Sequence, residues 1–416
     1  MRRVVITGTG ALAPIADSPA GLHAALREGR SALKSIELFP LDALNWNGIN
    51  HGNGVNPSRL AGEVRPFEPR EYLGDRNLRP VDRTARLLLV AAQQALEGSG
   101  WTAEMRAARE VGLVLGTMFC SVRTIAEFDR RAVQLGPSYA SPLDFANSVI
   151  NAAAGQAAIW NNLRGINSTI TGGEASGLLA LAYAMDLIGH GRAEAVLAGG
   201  AEELCFESYL GHERAGRLGE RPIPFDAQRD GFALAEGAAA LMLESAEGAA
   251  ARGARVLATL RGHGETFDPS AGEDEGAAAE AVARAVHLAL EDAEVEPQDL
   301  DLLVLSANGS VQGDRAEARG VAQALGPRAA DIPVVAPKAQ LGEALGASGA
   351  FQALTALGAF DEGVVPGVTG LEATEEGFPL GGVSSSTRRL DRRPRLALLH
   401  AASTDGQCCA VVVEAA

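Results

Sequence analysis

The chain is poor in aromatic residues, which make up 5% of its 416 positions, and it holds only four cysteines. Cations are also scarce, with 36 Lys and Arg against 52 Asp and Glu, a formal net charge of −16. Each shortage excludes something. Cys120, Cys205, Cys408 and Cys409 fall at no metal-ligand spacing, and the adjacent pair Cys408-Cys409 is poorly placed for a disulfide. They read as small reduced core residues of a cytoplasmic protein, with no metal and no cofactor expected. The acidic balance argues against nucleic acid, which needs basic patches. It also argues against a broad docking face for an acidic partner, and leaves only a local basic patch for that purpose. No apolar run approaches the roughly 18 residues that span a bilayer, so no membrane is expected. The N-terminus enters Arg2-Arg3-Val4-Val5-Ile6 directly and shows no signal-peptide core. Gly8-Thr9-Gly10 is not completed to a dinucleotide fingerprint and reads as a strand-ending turn. His51 sits in a Pro-, Gly- and Asn-rich stretch without a neighbouring metal ligand.

What is present is an ordinary globular composition, 47% apolar and 21% charged, over a length suited to two or three cores. Residues 34–80 carry little periodicity and read as a long surface excursion. Residues 83–95 predict an amphipathic helix closed by Gly98-Ser99-Gly100, followed by a buried strand at 110–117. The order recurs as a helix at 280–290 and a strand at 299–309. A second unit recurs as well: helix 174–191 runs into strand 195–200, and helix 343–363 runs into Val364-Val365-Pro366. This is a degenerate internal duplication of an α/β unit, divided here into halves 1–250 and 251–416. Alternating β and α units with β-branched strands predict mostly parallel sheets covered by helices.

One stretch organises the rest. Gly165-Ile166-Asn167-Ser168-Thr169-Ile170 reads as a strand, Thr171-Gly172-Gly173 as a tight turn, and Ser176 onward as a helix ending near Gly189-His190-Gly191. Such an elbow presents one side chain at a helix N-terminus, where negative charge is favoured. Enzymes place a nucleophilic Ser or Cys there. Here the presented residue is Glu174.

Thr171 to Leu178 resembles the active-site elbow of the β-ketoacyl synthases, roughly T-A-C-S-S-G-L, with Glu174 at the acylated cysteine. Pro224-Phe225-Asp226-Ala227-Gln228-Arg229-Asp230-Gly231-Phe232, with Glu236-Gly237-Ala238 and Leu241-Met242-Leu243-Glu244, is similar to the family's R-P-(F/W)-D-x-x-R-D-G-F-x-x-G-E-G-A-G-x-L-x-L-E. The resemblance extends over almost the whole chain. It implies a thiolase fold, in which two duplicated halves stack as α-β-α-β-α. The family's first histidine lies in A-H-G-T-x-T-x-x-G-D. The matching Ala307-Asn308-Gly309-Ser310-Val311-Gln312-Gly313-Asp314 is two residues shorter and has Asn308 at the histidine. The second lies in K-S-x-x-G-H-x-x-G-A-A-G, which appears here from Lys338 to Gly349 with Glu343 at the histidine. The oxyanion-hole loop F-G-F-G-G-x-N appears as Ala402-Ser403-Thr404-Asp405-Gly406-Gln407-Cys408.

A carboxylate at 174 cannot form a stable thioester, and the lost imidazoles can no longer stabilise an enolate. No catalytic residue is therefore expected at Glu174, Asn308 or Glu343, although Lys338 is retained. Three readings stay open. The first is a silent subunit that pairs with an active ketosynthase, similar to the chain length factors of bacterial type II polyketide synthases. Those carry Gln where Glu174 stands. The acyl carrier protein would then act mainly through the partner. The second is altered chemistry by a close Glu174–Glu343 carboxylate pair beside Lys338, although a plain Lys338 salt link accounts for the same residues. The third is a self-associating scaffold. By resemblance, the partner face comprises residues 118–131 and 141–156, the latter with small residues that permit close approach. Ser121, Thr124 and Phe128, spaced i, i+3 and i+7, would border the tunnel for the growing chain.

Overall fold

The computed structural model describes residues 1–41, 60–270 and 273–416; His51 lies outside them. The ten strands of the main sheet are, in chain order, Val4–Leu12 (β1), Gly112–Gly116 (β2), Asn167–Ile170 (β3), Ala195–Glu202 (β4), Gly237–Ser245 (β5), Ala258–Phe267 (β6), Leu302–Val304 (β7), Val334–Val335 (β8), Leu396–Ala402 (β9) and Gln407–Ala415 (β10). The helices that matter here are Arg83–Gly98 (α1), Val122–Leu135 (α2), Pro142–Ala146 (α3), Ala152–Asn161 (α4), Ser176–Gly189 (α5), Phe206–Arg214 (α6), Glu275–Ala293 (α7), Val311–Leu325 (α8) and Ser348–Glu362 (α9).

The sheet runs β8-β7-β9-β10-β6-β1-β5-β4-β2-β3. Its two halves repeat one pattern outward from the centre, β1-β5-β4-β2-β3 and β6-β10-β9-β7-β8. They join where Val4, Val5 and Ile6 pair antiparallel with Leu260, Thr259 and Ala258. Leu and Ala of α5 and α9, with Phe351 and Phe360, form the central core between the halves, while α1 with α4 and α7 with α8 cover the outer faces. This is the layered, duplicated thiolase fold. α5 and α9 are buried nearly all round, as helices enclosed on every side must be.

Four expectations change. The main sheet is mixed rather than mostly parallel: β7–β8, β7–β9, β2–β3 and β2–β4 pair in parallel and its other neighbours antiparallel, because β1, β5, β6 and β10 at its centre run against their neighbours. Gly8 and Gly10 lie inside β1 rather than in a turn, because α1 crosses them too closely for a side chain. A Cβ at Gly10 would sit 1.9 Å from the Ala91 carbonyl oxygen, and one at Gly8 would sit 2.3 Å from that of Ala95. Within residues 34–80, the described part is more ordered than a surface excursion. Leu33–Ser35 and Leu60–Gly62 pair, and Leu60–Gly62 also pairs with Leu234–Ala235, burying Ala61. Finally, Val364–Val365 is not the counterpart of β4. It pairs with Arg388–Arg389 in a separate ribbon. The counterpart is β9, which a loop inserted into the second repeat displaces along the sequence.

The sheet's two edges differ. Beyond β8, the chain's own loop closes in: Val334 N donates to Gly382 O at 3.3 Å, and a Cβ at Gly382 would lie 1.8 Å from Ile332 O. At the other end β3 has no neighbouring strand beyond it among the described residues, and its side chains are half-buried to exposed.

Candidate functional site

Asn167 to Ile170 pairs in parallel with β2, so the chain leaves the sheet at its carboxyl end and turns at Gly172-Gly173 into α5. Gly173 takes φ +54°, and a Cβ there would lie 1.8 Å from Ser403 Oγ. Only glycine lets the C-terminal loop come this near. Glu174 is buried, one residue before the N-cap of α5. Its Oε2 accepts from Ser403 Oγ at 2.6 Å and from Thr404 N at 3.1 Å, while Oε1 accepts from Thr404 Oγ1 at 3.0 Å. Burial opposes ionisation, but these donors outweigh it and hold the carboxyl below its ordinary range. The Thr404 N–H belongs to the loop that the resemblance assigned to the oxyanion hole, and the chain's own carboxylate occupies it.

The other three motif residues converge in one network. Lys338 Nζ lies 2.6 Å from Glu343 Oε2, and Asn308 Nδ2 donates to the same oxygen at 2.8 Å. Ser348 Oγ and Leu345 N donate to Glu343 Oε1 at 2.7 and 3.0 Å. Both members of the ion pair are buried, so the pair is the salt link considered above. No hydrogen bond joins Glu174 to Glu343 among the described residues, and each carboxylate is satisfied by a separate donor set. The paired-acid arrangement is not formed.

A cleft of about 630 Å³ opens onto this site, lined among others by Glu174, Asn308, Phe232, Asp314 and Thr404. Lys338 and Glu343 lie one hydrogen bond further in, and Ser121, Thr124 and Phe128 do not line it. The motif around Phe225 frames the cleft. Arg229 lies 3.4 Å from Asp314 and 2.9 Å from Glu375, tying the first half to the second. Asp314 accepts from Phe225 N and Asn308 N at 2.9 and 3.0 Å, and burial pushes its carboxyl up to about 6 despite them.

Sequence reasoning missed Glu202 and Glu317. Glu202 is fully buried and gathers Met118 N, Phe119 N and Cys120 N at 2.6, 3.0 and 2.8 Å, fixing the segment that leads to α2. Burial pushes its carboxyl up to about 7. Glu317 pairs with the buried His400 at 2.6 Å and holds Ser306, which in turn receives Ala402 N. For Glu202, an acid ending the apolar run 195–201 was the available signal; Glu317, between Arg315 and Arg319, gave none. Ser121 precedes α2 as its N-cap residue, is buried, and donates to the Asp82 carboxylate instead of sharing a helical face with Thr124 and Phe128. Phe128 meets Phe145 of α3 at 5.8 Å. Of the small residues, Ala153 and Ala154 turn inward onto the core with α1, and Ala152 is buried as well.

Residues 1–249 match the model of the β-ketoacyl synthase N-terminal domain, and residues 257–372 match that of its C-terminal domain. The chain is 33% identical over 424 residues to the tetracenomycin polyketide synthase ketoacyl synthase beta subunit of Streptomyces glaucescens, covering 99% of this chain and 98% of that one. It is 31% identical over 402 residues to the 3-oxoacyl-[acyl-carrier-protein] synthase 2 of Vibrio harveyi, covering 94% and 93%. Among solved structures, the ishigamide ketosynthase/chain length factor superposes with a TM-score of 0.90 at 26% identity, covering 100% of this chain and 99% of that one. With fold, elbow and both family domains in agreement, the chain belongs to the β-ketoacyl synthase family.

Proposed function

We propose that this chain is a non-condensing ketosynthase-like subunit that pairs with an active ketosynthase and shapes the tunnel in which a polyketide chain is extended, thereby setting its length. The observation that carries the reading is the closed elbow. Glu174 offers no nucleophile, and its three donors come from the loop an oxyanion would need. Asn308 and Lys338 are both locked onto Glu343, so among the described residues no imidazole lines the cleft.

A pairing role is supported by what the fold leaves uncovered. Val133, Tyr139, Phe145, Val149 and Ile159 are 84, 67, 62, 50 and 80% exposed. They belong to or flank α2, α3 and α4, and α4 packs beside the bare edge strand β3. Exposed apolar surface next to an unpaired strand marks an association face. The likeness to a ketoacyl synthase beta subunit and to a ketosynthase/chain length factor structure points to a heterodimer with a cysteine-bearing ketosynthase. An acyl carrier protein would then deliver units to the partner.

The test is co-expression with such a ketosynthase, followed by affinity purification of one tagged chain and analysis of product. Stoichiometric co-elution, with product formed only by the pair, is expected. A chain that forms a homodimer and ignores the ketosynthase would instead support a scaffold. Steady turnover by the isolated chain would support altered carboxylate chemistry.

A further inference from the structure

We infer that residues 122–146, comprising α2, α3 and the turn between them, become a stable wall only when the partner ketosynthase covers them; in the isolated chain they are the least protected folded segment. This rests on the pairing reading above and adds how pairing and the tunnel wall are linked.

The segment is anchored at both ends and buried nowhere between. At its root, Glu202 holds three successive backbone N–H groups, from Met118 to Cys120, and Ser121 is tied to Asp82. At its far end Asn147 is buried and donates through Nδ2 to Pro80 O at 2.8 Å. Between these points α2 buries none of its 14 residues, and neither α3 nor the turn Pro137–Tyr139 buries any. The inner face of α2, with Val122, Ile125 and Phe128, is only half-buried, and a helix of this length with so little tertiary burial is marginal in water. Beyond its first turn, where the Arg123 backbone meets the buried Glu203, its ties are surface contacts: Phe128 on Phe145, Arg131 to Asp144 at 3.0 Å, and Arg130 to Glu207 of α6 at 3.1 Å. Exposed ion pairs of this kind hold little.

Five large apolar side chains of the segment face away from the chain, while Val122, Ile125 and Phe128 are half-buried. Val133 and Leu135 on α2, Tyr139 in the turn, and Leu143 and Phe145 on α3 are all exposed. Exposed Val149 and Ile150 carry this apolar run along the chain to α4, which packs beside β3, and the partner ketosynthase is the occupant that would cover it. Thr124 and Phe128 lie on the same segment, and a tunnel wall made from them is incomplete until that occupant arrives.

Hydrogen exchange read by mass spectrometry tests this on the full isolated chain and on the co-purified pair. In the isolated chain, amides of 122–146 should exchange far faster than those of α1, while Met118 to Cys120 stay protected. In the pair, exchange over 122–146 should slow by at least about tenfold, as expected when a locally open unit is docked. Equal protection of 122–146 and α1 in the isolated chain would overturn the inference. So would a pair that forms with this segment unchanged, which would leave the pairing reading intact. Failure of any ketosynthase to co-purify would remove both. Phe145→Asp gives an independent reading, because it should abolish pairing while leaving the melting temperature of the isolated chain unchanged. Loss of folding in that variant would show that Phe145 is core, and would also overturn the inference.

Discussion

At the scale of single residues, the Glu174 carboxylate combines two properties that a nucleophile's site would keep apart. It is anionic at a helix N-terminus, and it is saturated by Ser403 and Thr404. The isolated chain should therefore take up no acyl label and condense no malonyl units, measured with radiolabelled thioesters; a stable adduct at Glu174 would refute this. Glu174→Cys should not restore condensation, since Asn308 and Glu343 stand where imidazoles would be needed. Removing Lys338 alone is a sharper structural probe. Lys338→Met leaves Glu343 buried without its counter-charge, which typically costs ~3–5 kcal/mol. A melting temperature unchanged from the parent would show that the ion pair is not what satisfies Glu343. The identities at 174, 308, 338 and 343 were all legible from motif spacing. A Lys338 salt link was legible too, but the partners of Glu174 were not, because Ser403 lies 229 positions away and no local periodicity connects them.

Among elements, α2 and α4 show where spacing misleads. The run Ala152-Ala153-Ala154 has the composition of a close-packed face, but the sequence alone does not say whose helix it meets; here it meets α1. A Trp at Ala153 would overpack the core and is not a clean test of pairing. The outward positions are Gly155, where an added Cβ meets nothing within 4 Å, and Ile159. Gly155→Trp and Ile159→Arg should split the heterodimer in gel filtration and leave the isolated chain's unfolding transition within about 0.5 kcal/mol of the parent, as for other surface changes. Intact association would move the interface elsewhere. For the tunnel, Ser121 is committed to Asp82, so a larger side chain there would disturb the root of α2 before it narrowed any passage. Phe128 is the better probe. Phe128→Ala should lengthen the dominant product of the reconstituted pair by mass spectrometry, and an unchanged product from a folded, paired variant would take α2 out of the tunnel.

For the whole molecule, buried carboxylates set the response to pH. Glu202 is pushed up to about 7 and Asp314 to about 6, chiefly by burial. Both lie above their ordinary range, so the stability tied to them is complete at acid pH and is lost as pH rises through those values. Glu174 and Glu317 lie below theirs, because their hydrogen bonds outweigh burial. Their contribution is lost as pH falls below the ordinary carboxylate range. Melting temperature should therefore peak on the acid side of neutrality, and Glu202→Gln should flatten the alkaline limb; a limb of unchanged slope would exclude Glu202 as its source. The duplicated α/β architecture was legible from repeated helix–strand order. Adjacency in sequence points to Val364–Val365 as the strand that follows α9, whereas the chain inserts a ribbon before β9. The unlike edges of the sheet also limit its valence. With β8 closed by the loop at Gly382 and β3 open among the described residues, the main sheet can contribute one growing end and no second. Association through β3 consumes both open ends at once, so it terminates at two subunits and cannot propagate into a fibre.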